Sequence, residues 1–239
     1  MTEAAAKTRR QKVEQKERAI LTATRAVFRE KGAEEAKISA IAQAAGLAEG
    51  TVYLYFKNKQ ALLMAAVRDF YAELTRDAES AVAQSPDTGS QVLSLARLHF
   101  GRVFDEWPLI AEAMGPYLPS PEYRETEAFA LNRRYVGVFD GIMRSGVARG
   151  DIRADLSIPA MRDAFYGGLE HCARSARLRT TTPDIDAEVR QFLTIFMAGV
   201  MGRPSHGEID GARVVRRLQS VIVDIEEQMR SADTDREQT

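Results

Sequence analysis

KISAIAQAAGLAEGTVYLYFKNKQALL, residues 37–63, is the stretch whose reading decides the fold. Ile38, Ile41 and Ala45 recur at helical steps, so it opens with a short helix that has one apolar stripe. Gly46 then allows the positive φ that a sharp helix exit needs, and Leu47 can turn inward as the plug of that turn. A second helix, Glu49 to about Tyr55, docks through Val52 and Phe56, four residues apart. It bears Thr51, Tyr53 and Tyr55, hydroxyls spaced too densely for a core. Asn58 is a good N-cap for a third, longer helix. Two helices, a glycine turn and an exposed polar second helix make a helix-turn-helix.

Charge supports a polyanionic partner for this end of the chain. The 239 residues carry a formal net charge of −1, which hides an asymmetry. Residues 1–60 hold 12 Lys and Arg against 7 Asp and Glu, net +5, so the other residues are net −6. Six of those basic side chains fall within residues 7–18. They form either a solvated helix start or an arm that reaches phosphate or minor groove beside the reading helix. A hydrophobic fraction of 45% and a charged fraction of 28% are ordinary for a soluble globular protein. No transmembrane run and no apolar leader core are visible, so cytoplasmic residence is expected. The lone Cys172 excludes an intramolecular disulfide.

The rest of the chain reads as helix after helix, and the fold class is all-α. A first helix runs from Val13 to Lys31, with Gly32 as its C-cap. Helix four is expected from Asn58 to about Gln84, burying Leu62, Leu63, Ala66, Val67, Phe70, Tyr71 and Leu74. Val92 to Val103 mark another, which Trp107-Pro108 interrupts before a short helix at Leu109–Leu118. Long helices follow at Glu122–Arg149, Ile158–Leu178 and Ile185–Met201. In the tail, Val214, Leu218, Val221 and Ile225 recur at steps of three to four, which predicts an extra amphipathic helix. The expected divisions are 1–60 for the helix-turn-helix unit, 61–203 for a helical bundle, and 204–239 for a C-terminal extension.

Residues 37–63 resemble the DNA-binding segment of the TetR family of bacterial transcriptional regulators. Ile41, Ala42, Ala45, Gly46, Leu47, Gly50, Thr51, Val52, Tyr53, Tyr55, Phe56, Lys59 and Leu62 carry the likeness at fixed spacing. Two positions depart from the family pattern: Lys37 and Ala48 stand where helix-capping Ser or Thr is common. Ser39 is expected to recover part of the first cap. A narrower likeness, to TetR-type fatty-acid-degradation repressors that respond to long-chain acyl-CoA, rests on Gly146, Gly150, Asp151, Ile152, Phe165, Gly167 and Glu170.

The resemblance implies a three-helix DNA-binding domain followed by a helical ligand-binding and dimerisation bundle. It implies a homodimeric repressor that grips a pseudo-palindromic double-stranded operator and is released by a small apolar effector, which the narrower likeness makes an acyl-CoA. The expected DNA-binding residues are Ser39, Glu49, Gly50, Thr51, Tyr53, Tyr55, Lys57 and Lys59. The candidate ligand pocket comprises Phe100, Val103, Met114, Phe129, Phe139, Phe165 and Phe196. The same Met and Phe residues suit a packed core equally well. Arg102, Arg124, Arg133, Arg134, Arg174 and Arg177 are the available cations. The small residues of the Ile158–Leu178 helix, Gly168 among them, allow close helix approach within the subunit or across a dimer interface. No metal-ligand spacing, nucleophile–base motif or phosphate loop is present, so no metal, cofactor or catalytic residue is expected. The rival readings are a drug- or aromatic-responsive repressor of the same fold, an architectural DNA-binding protein without effector, and an enzyme fused to a DNA-binding segment.

Overall fold

The computed structural model describes residues 3–114, 121–179 and 182–202. Met1–Met201 form one compact unit, and Gly202–Thr239 a second, of which only Gly202 is among the described residues. The helix expected around Val214–Ile225 lies outside them.

Helix α1 (Glu3–Glu35) begins about three turns before Val13, and Gly32, with φ of 78°, breaks it near its end. Helices α2 (Ile38–Ala44) and α3 (Glu49–Tyr55) follow. In α4 (Lys59–Ala83) the Asn58 side chain accepts from the Ala61 amide at 2.8 Å, the expected cap. All seven α4 residues expected inside are buried.

The interruption expected at Trp107-Pro108 is present as a kink within α5 (Thr88–Met114), which joins two helical stretches. The proline cannot donate to the carbonyl four residues back, that of Phe104. Glu106 takes up the strain as a kink, with φ of −109° and ψ of 16°. Arg177, from a later helix, donates to the freed Phe104 carbonyl and lies over the Phe104 ring, 5.4 Å from the centroid. A long-range guanidinium thus replaces the missing helical bond.

The helix expected from Glu122 starts later. Pro121–Glu125 form a 3-10 turn, and α6 (Glu127–Arg149) begins where the Thr126 hydroxyl caps the Phe129 amide. Gly150 closes α6 in the left-handed region, at φ of 79°. Helices α7 (Ile158–Arg179) and α8 (Ile185–Val200) complete the unit. Among the described residues the elements are helical, and the extended pairing is an isolated bridge, Ile152 to Met201. No described helix is long and apolar enough to cross a membrane.

One apolar core runs from Ile20 and Phe28 of α1, through Leu62 to Leu74 of α4, to Phe139, Phe165 and Phe196 of the later helices. Helix α4 packs against α1, α5 and α6, and α1 also packs against α5.

Candidate nucleic-acid interface and cavity

Gly46 adopts φ of 67°, the positive value that the sharp turn requires, and the Leu47 amide reaches back to the Ala42 carbonyl. Val52 is fully buried and Phe56 nearly so; these two side chains hold α3 on the body. Neither short helix has a side-chain cap: Lys37 and Ala48 occupy the N-cap positions. Ser39 lies inside α2 and does not cap it, a correction to the expectation above.

The expected DNA-binding residues differ in exposure. Ser39, Glu49, Gly50, Tyr53 and Lys57 are exposed, and Thr51, Tyr55 and Lys59 half-buried. Two of them have intramolecular tasks. Lys59 Nζ donates to the Glu34 carbonyl at 2.6 Å, stapling the end of α1 to the start of α4. Tyr55 lines a groove with Lys12, Lys16 and Ala19 of α1. The reading helix also displays Leu54, 84% exposed, which the spacing argument passed over. Two residues beyond Val52 is ~200° around a helix, so a buried Val52 turns Leu54 outward.

Arg25 of α1 joins this unit to the helices behind it. Its guanidinium meets Glu73 at 2.6 Å and Asp69 at 3.4 Å on α4, and Glu106 at 2.5 Å on α5. Burial works against its charge, but the bonds to Glu106 and Glu73 outweigh it and raise the Arg25 pKa. Glu73 is shared with Arg102, at 2.8 Å, and Arg102 also holds Asp77 at 2.6 Å. Burial opposes the Glu73 charge, yet its two arginines leave its pKa below the usual value.

Arg102 belongs to the lining of a cavity of about 370 Å³ between α4, α5, α6 and α7. That volume is at the lower end for small-molecule sites. Phe70, Tyr71, Leu74, Val103, Ile110, Phe129 and Val136 supply apolar wall. On the α6–α7 side, Arg162 grips the buried Asp140 with two bonds of 2.8 and 2.9 Å, and Arg133 lies 3.6 Å from the same carboxylate. Asp163, also in the lining, lies 3.9 Å from Arg162, so the two guanidiniums are set among two carboxylates.

A polar cluster sits in the most buried part of the lining. His99 Nδ1 is 3.0 Å from the Tyr135 hydroxyl, and His99 Nε2 is 3.9 Å from Glu170 Oε1. Burial pushes His99 down to about 3, so the ring is neutral. Burial raises the Glu170 carboxyl, with Arg174 opposing. Tyr135 and Tyr166 are likewise pushed above the usual phenol value by burial.

Of the expected pocket residues, Val103 and Phe129 line this cavity. Phe100, Phe139 and Phe165 do not: they are fully buried core. Phe139 stacks on Phe165 with ring centres 4.7 Å apart, and Phe165 meets Phe196 at 5.4 Å. Phe196 lines a shallower groove with Leu156, Ala160, Ala164 and Ile195 instead. Met114 ends α5, and its side chain lies outside the described residues. Among the cations, Arg102 and Arg133 line the cavity, Arg174 lies over Trp107, and Arg177 serves Phe104. Arg124 and Arg134 are exposed and outside the lining. Arg162 was missed; the signal was Asp140, a carboxylate beside the apolar stripe of α6 that needed a cation. His99 gave a similar signal, a polar residue within the stripe Val92, Leu95, Ala96, Phe100 of α5.

Residues 20–66 match the family model for bacterial regulatory proteins of the tetR family. The chain is a TetR-family regulator. Similar to this TetR-family chain is the fatty acid metabolism regulator protein of Bacillus subtilis (strain 168), 23% identical over 181 residues, which cover 76% of this chain and 93% of that protein. The transcriptional repressor KstR2 of Rhodococcus jostii (strain RHA1) is 21% identical over 187 residues, covering 76% of this chain and 89% of the repressor. Among solved structures, the regulator FadR from Bacillus subtilis in complex with stearoyl-CoA has a TM-score of 0.65 at 23% identity, over 76% of this chain and 97% of FadR. That likeness is one of fold. The TetR-family match runs from the middle of α1 through α2 and α3 to the start of α4, so the cavity lies beyond it.

Proposed function

We propose that this chain is a cytoplasmic, homodimeric repressor that leaves its operator when an acyl-CoA-type effector enters the cavity. The observation that carries the reading is the cavity itself: apolar walls beside the guanidiniums of Arg133 and Arg162, donors that an anionic head can meet beside Asp140 and Asp163. An acyl-CoA combines an apolar chain with phosphates, and FadR of Bacillus subtilis, of the same fold, was solved with stearoyl-CoA.

Ser39, Glu49, Gly50, Thr51, Tyr53, Tyr55, Lys57 and Lys59 form the DNA face in this reading, with Leu54 available for a thymine methyl. Two such faces enter successive major grooves roughly 34 Å apart. The second copy docks on α7 and α8, where Ile195, 78% exposed, shares a groove with the exposed Ala160 and Ala164. Gly168, by contrast, faces inward: a Cβ there would strike the Phe192 ring of the same subunit.

Phe70, Tyr71 and Leu74 bring α4 to the cavity, while Arg25 ties α4 and α5 to α1. An occupant that prefers another α4 position therefore shifts the reading helices, by no more than its differential affinity for the two states. An architectural protein without effector has no use for such a cavity. The aromatic wall of Phe70, Tyr71 and Phe129 favours, as second reading, an aromatic or drug-like effector.

The test is titration of the operator complex with acyl-CoAs of increasing length. Each buried CH₂ contributes about 0.8 kcal/mol, so release should set in steeply with length, and free acids should act more weakly. Release by short and long chains alike, or by none, overturns the acyl-CoA reading. Release by flat aromatic compounds alone favours the second.

A further inference from the structure

Among the described residues, His99 Nε2 and Tyr166 Oη are buried side-chain atoms without a hydrogen-bond partner, and both residues line the cavity. Unsatisfied buried polar groups are costly, so two on one wall mark a place built for a polar atom. Tyr166 stands beside Tyr135, ring centres 5.5 Å apart, and the two hydroxyls do not form a well-shaped hydrogen bond. Tyr135 is engaged instead with His99 Nδ1 at 3.0 Å.

Donor and acceptor roles follow from the charges. His99 is neutral and carries one ring hydrogen. The Glu170 carboxyl, 3.9 Å from Nε2, favours the tautomer with that hydrogen on Nε2, and Tyr135 then donates to Nδ1. The gap of 3.9 Å is too long for a direct bond but lets an oxygen beside the pair reach both groups. Such an oxygen accepts from Nε2–H and donates to Glu170, with the Tyr166 phenol as an additional partner. A hydroxyl can do both. A carbonyl can only accept and sets its lone pairs against those of the carboxylate.

We infer that the effector carries a hydroxyl group on its apolar part, held by His99 Nε2, Glu170 and Tyr166 in the inner wall of the cavity. The inference rests on the cavity being the effector site, and it narrows the class from a plain apolar chain to a hydroxylated apolar compound.

The experiment uses a matched pair of neutral probes, 4-butylphenol and butylbenzene, titrated calorimetrically into the full-length protein. In a purely apolar cavity the phenol binds more weakly, because its hydroxyl loses water without recompense. The expected result is the reverse, with 4-butylphenol about tenfold tighter. The preference should disappear in Tyr166→Phe, which removes one oxygen from a buried ring, and in His99→Leu. Equal or weaker binding of the phenol overturns the inference. So does a preference that survives both substitutions, or the failure of both probes to bind wild type. Neither probe carries phosphate or a long chain, so operator release by acyl-CoAs succeeds or fails independently of this result.

Discussion

Arg25 of α1 and Glu106 of α5 meet at 2.5 Å, at the residue where α5 kinks. Both are largely buried, with side-chain exposures of 12% and 5%. Arg25 also lies over the ring of Phe70, a cavity-wall residue, 5.6 Å from its centroid. Replacing Arg25 by Ala strands the Glu106 carboxylate and should lower stability by roughly 3–5 kcal/mol, read as a fall in the urea midpoint. Glu106→Gln keeps a hydrogen-bonding partner and should cost less. It should also leave operator affinity in place while changing the effector concentration needed for release. Wild-type midpoint and release in both variants would remove this pair from the account.

On the reading helix, Tyr53→Phe should weaken operator binding by about 1 kcal/mol with little change in base preference. Lys57→Ala should reduce the slope of log K against log salt by about 1. Lys57 serves this purpose better than Lys59, whose loss also unstaples Glu34. Leu54→Ala should relax preference at one base pair without touching the salt slope. Binding curves across salt, with the operator and single-base variants, check all three.

His99 makes stability depend on pH. The unfolded chain takes up a proton below an imidazole pKa of about 6.5, whereas the folded ring resists it down to about 3. Its contribution is therefore fully present above pH ~6.5 and is lost as pH falls, by at most about 1.4 kcal/mol per unit. Glu170, with its folded pKa raised, acts in the opposite sense as pH rises above the ordinary carboxyl range. Comparing wild type with His99→Leu isolates the imidazole. Urea unfolding at stepped pH should show the balance moving towards the variant as pH falls from 6.5. Parallel curves would show that this ring is not buried neutral.

Two substitutions on neighbouring helices should part company. Ile195→Glu places a charge on an exposed apolar face and should dissociate the proposed dimer while leaving each subunit helical. Gly168→Leu drives into Phe192 and should loosen the packing of α7 on α8 first. Sedimentation and thermal melts separate these outcomes. An Ile195→Glu protein that stays dimeric would move the interface elsewhere.

The helix-turn-helix was legible because its determinants are local: Gly46 sets the turn, and Val52 and Phe56 set the docked face. The burial of α4 was legible for the same reason of periodicity. The interruption of α5 was legible too, but not what compensates for it. Pro108 by itself reads as a break, and the Arg177 guanidinium that relieves it comes from another helix, 73 residues from Phe104. Pocket composition misled in a similar way. Phe129 and Phe139 lie on one helix and are chemically alike, yet Phe129 lines the cavity and Phe139 stacks in the core. Which face of α6 looks towards α4 and which towards α8 depends on packing that no single helix encodes. Asp140 and Arg162 are such a case, two charges 22 residues apart that make sense only as a pair.

Gly168 and Phe192 share one volume, filled entirely from the α8 side. Neither position is free to change alone: bulk added at 168 collides, and bulk removed at 192 leaves a hole. The two sites should therefore drift together across descendants of this chain. A larger residue on α7 becomes acceptable only where the ring on α8 has already shrunk, and lineages that swapped the ring between helices must have passed through a smaller residue at 192 on the way.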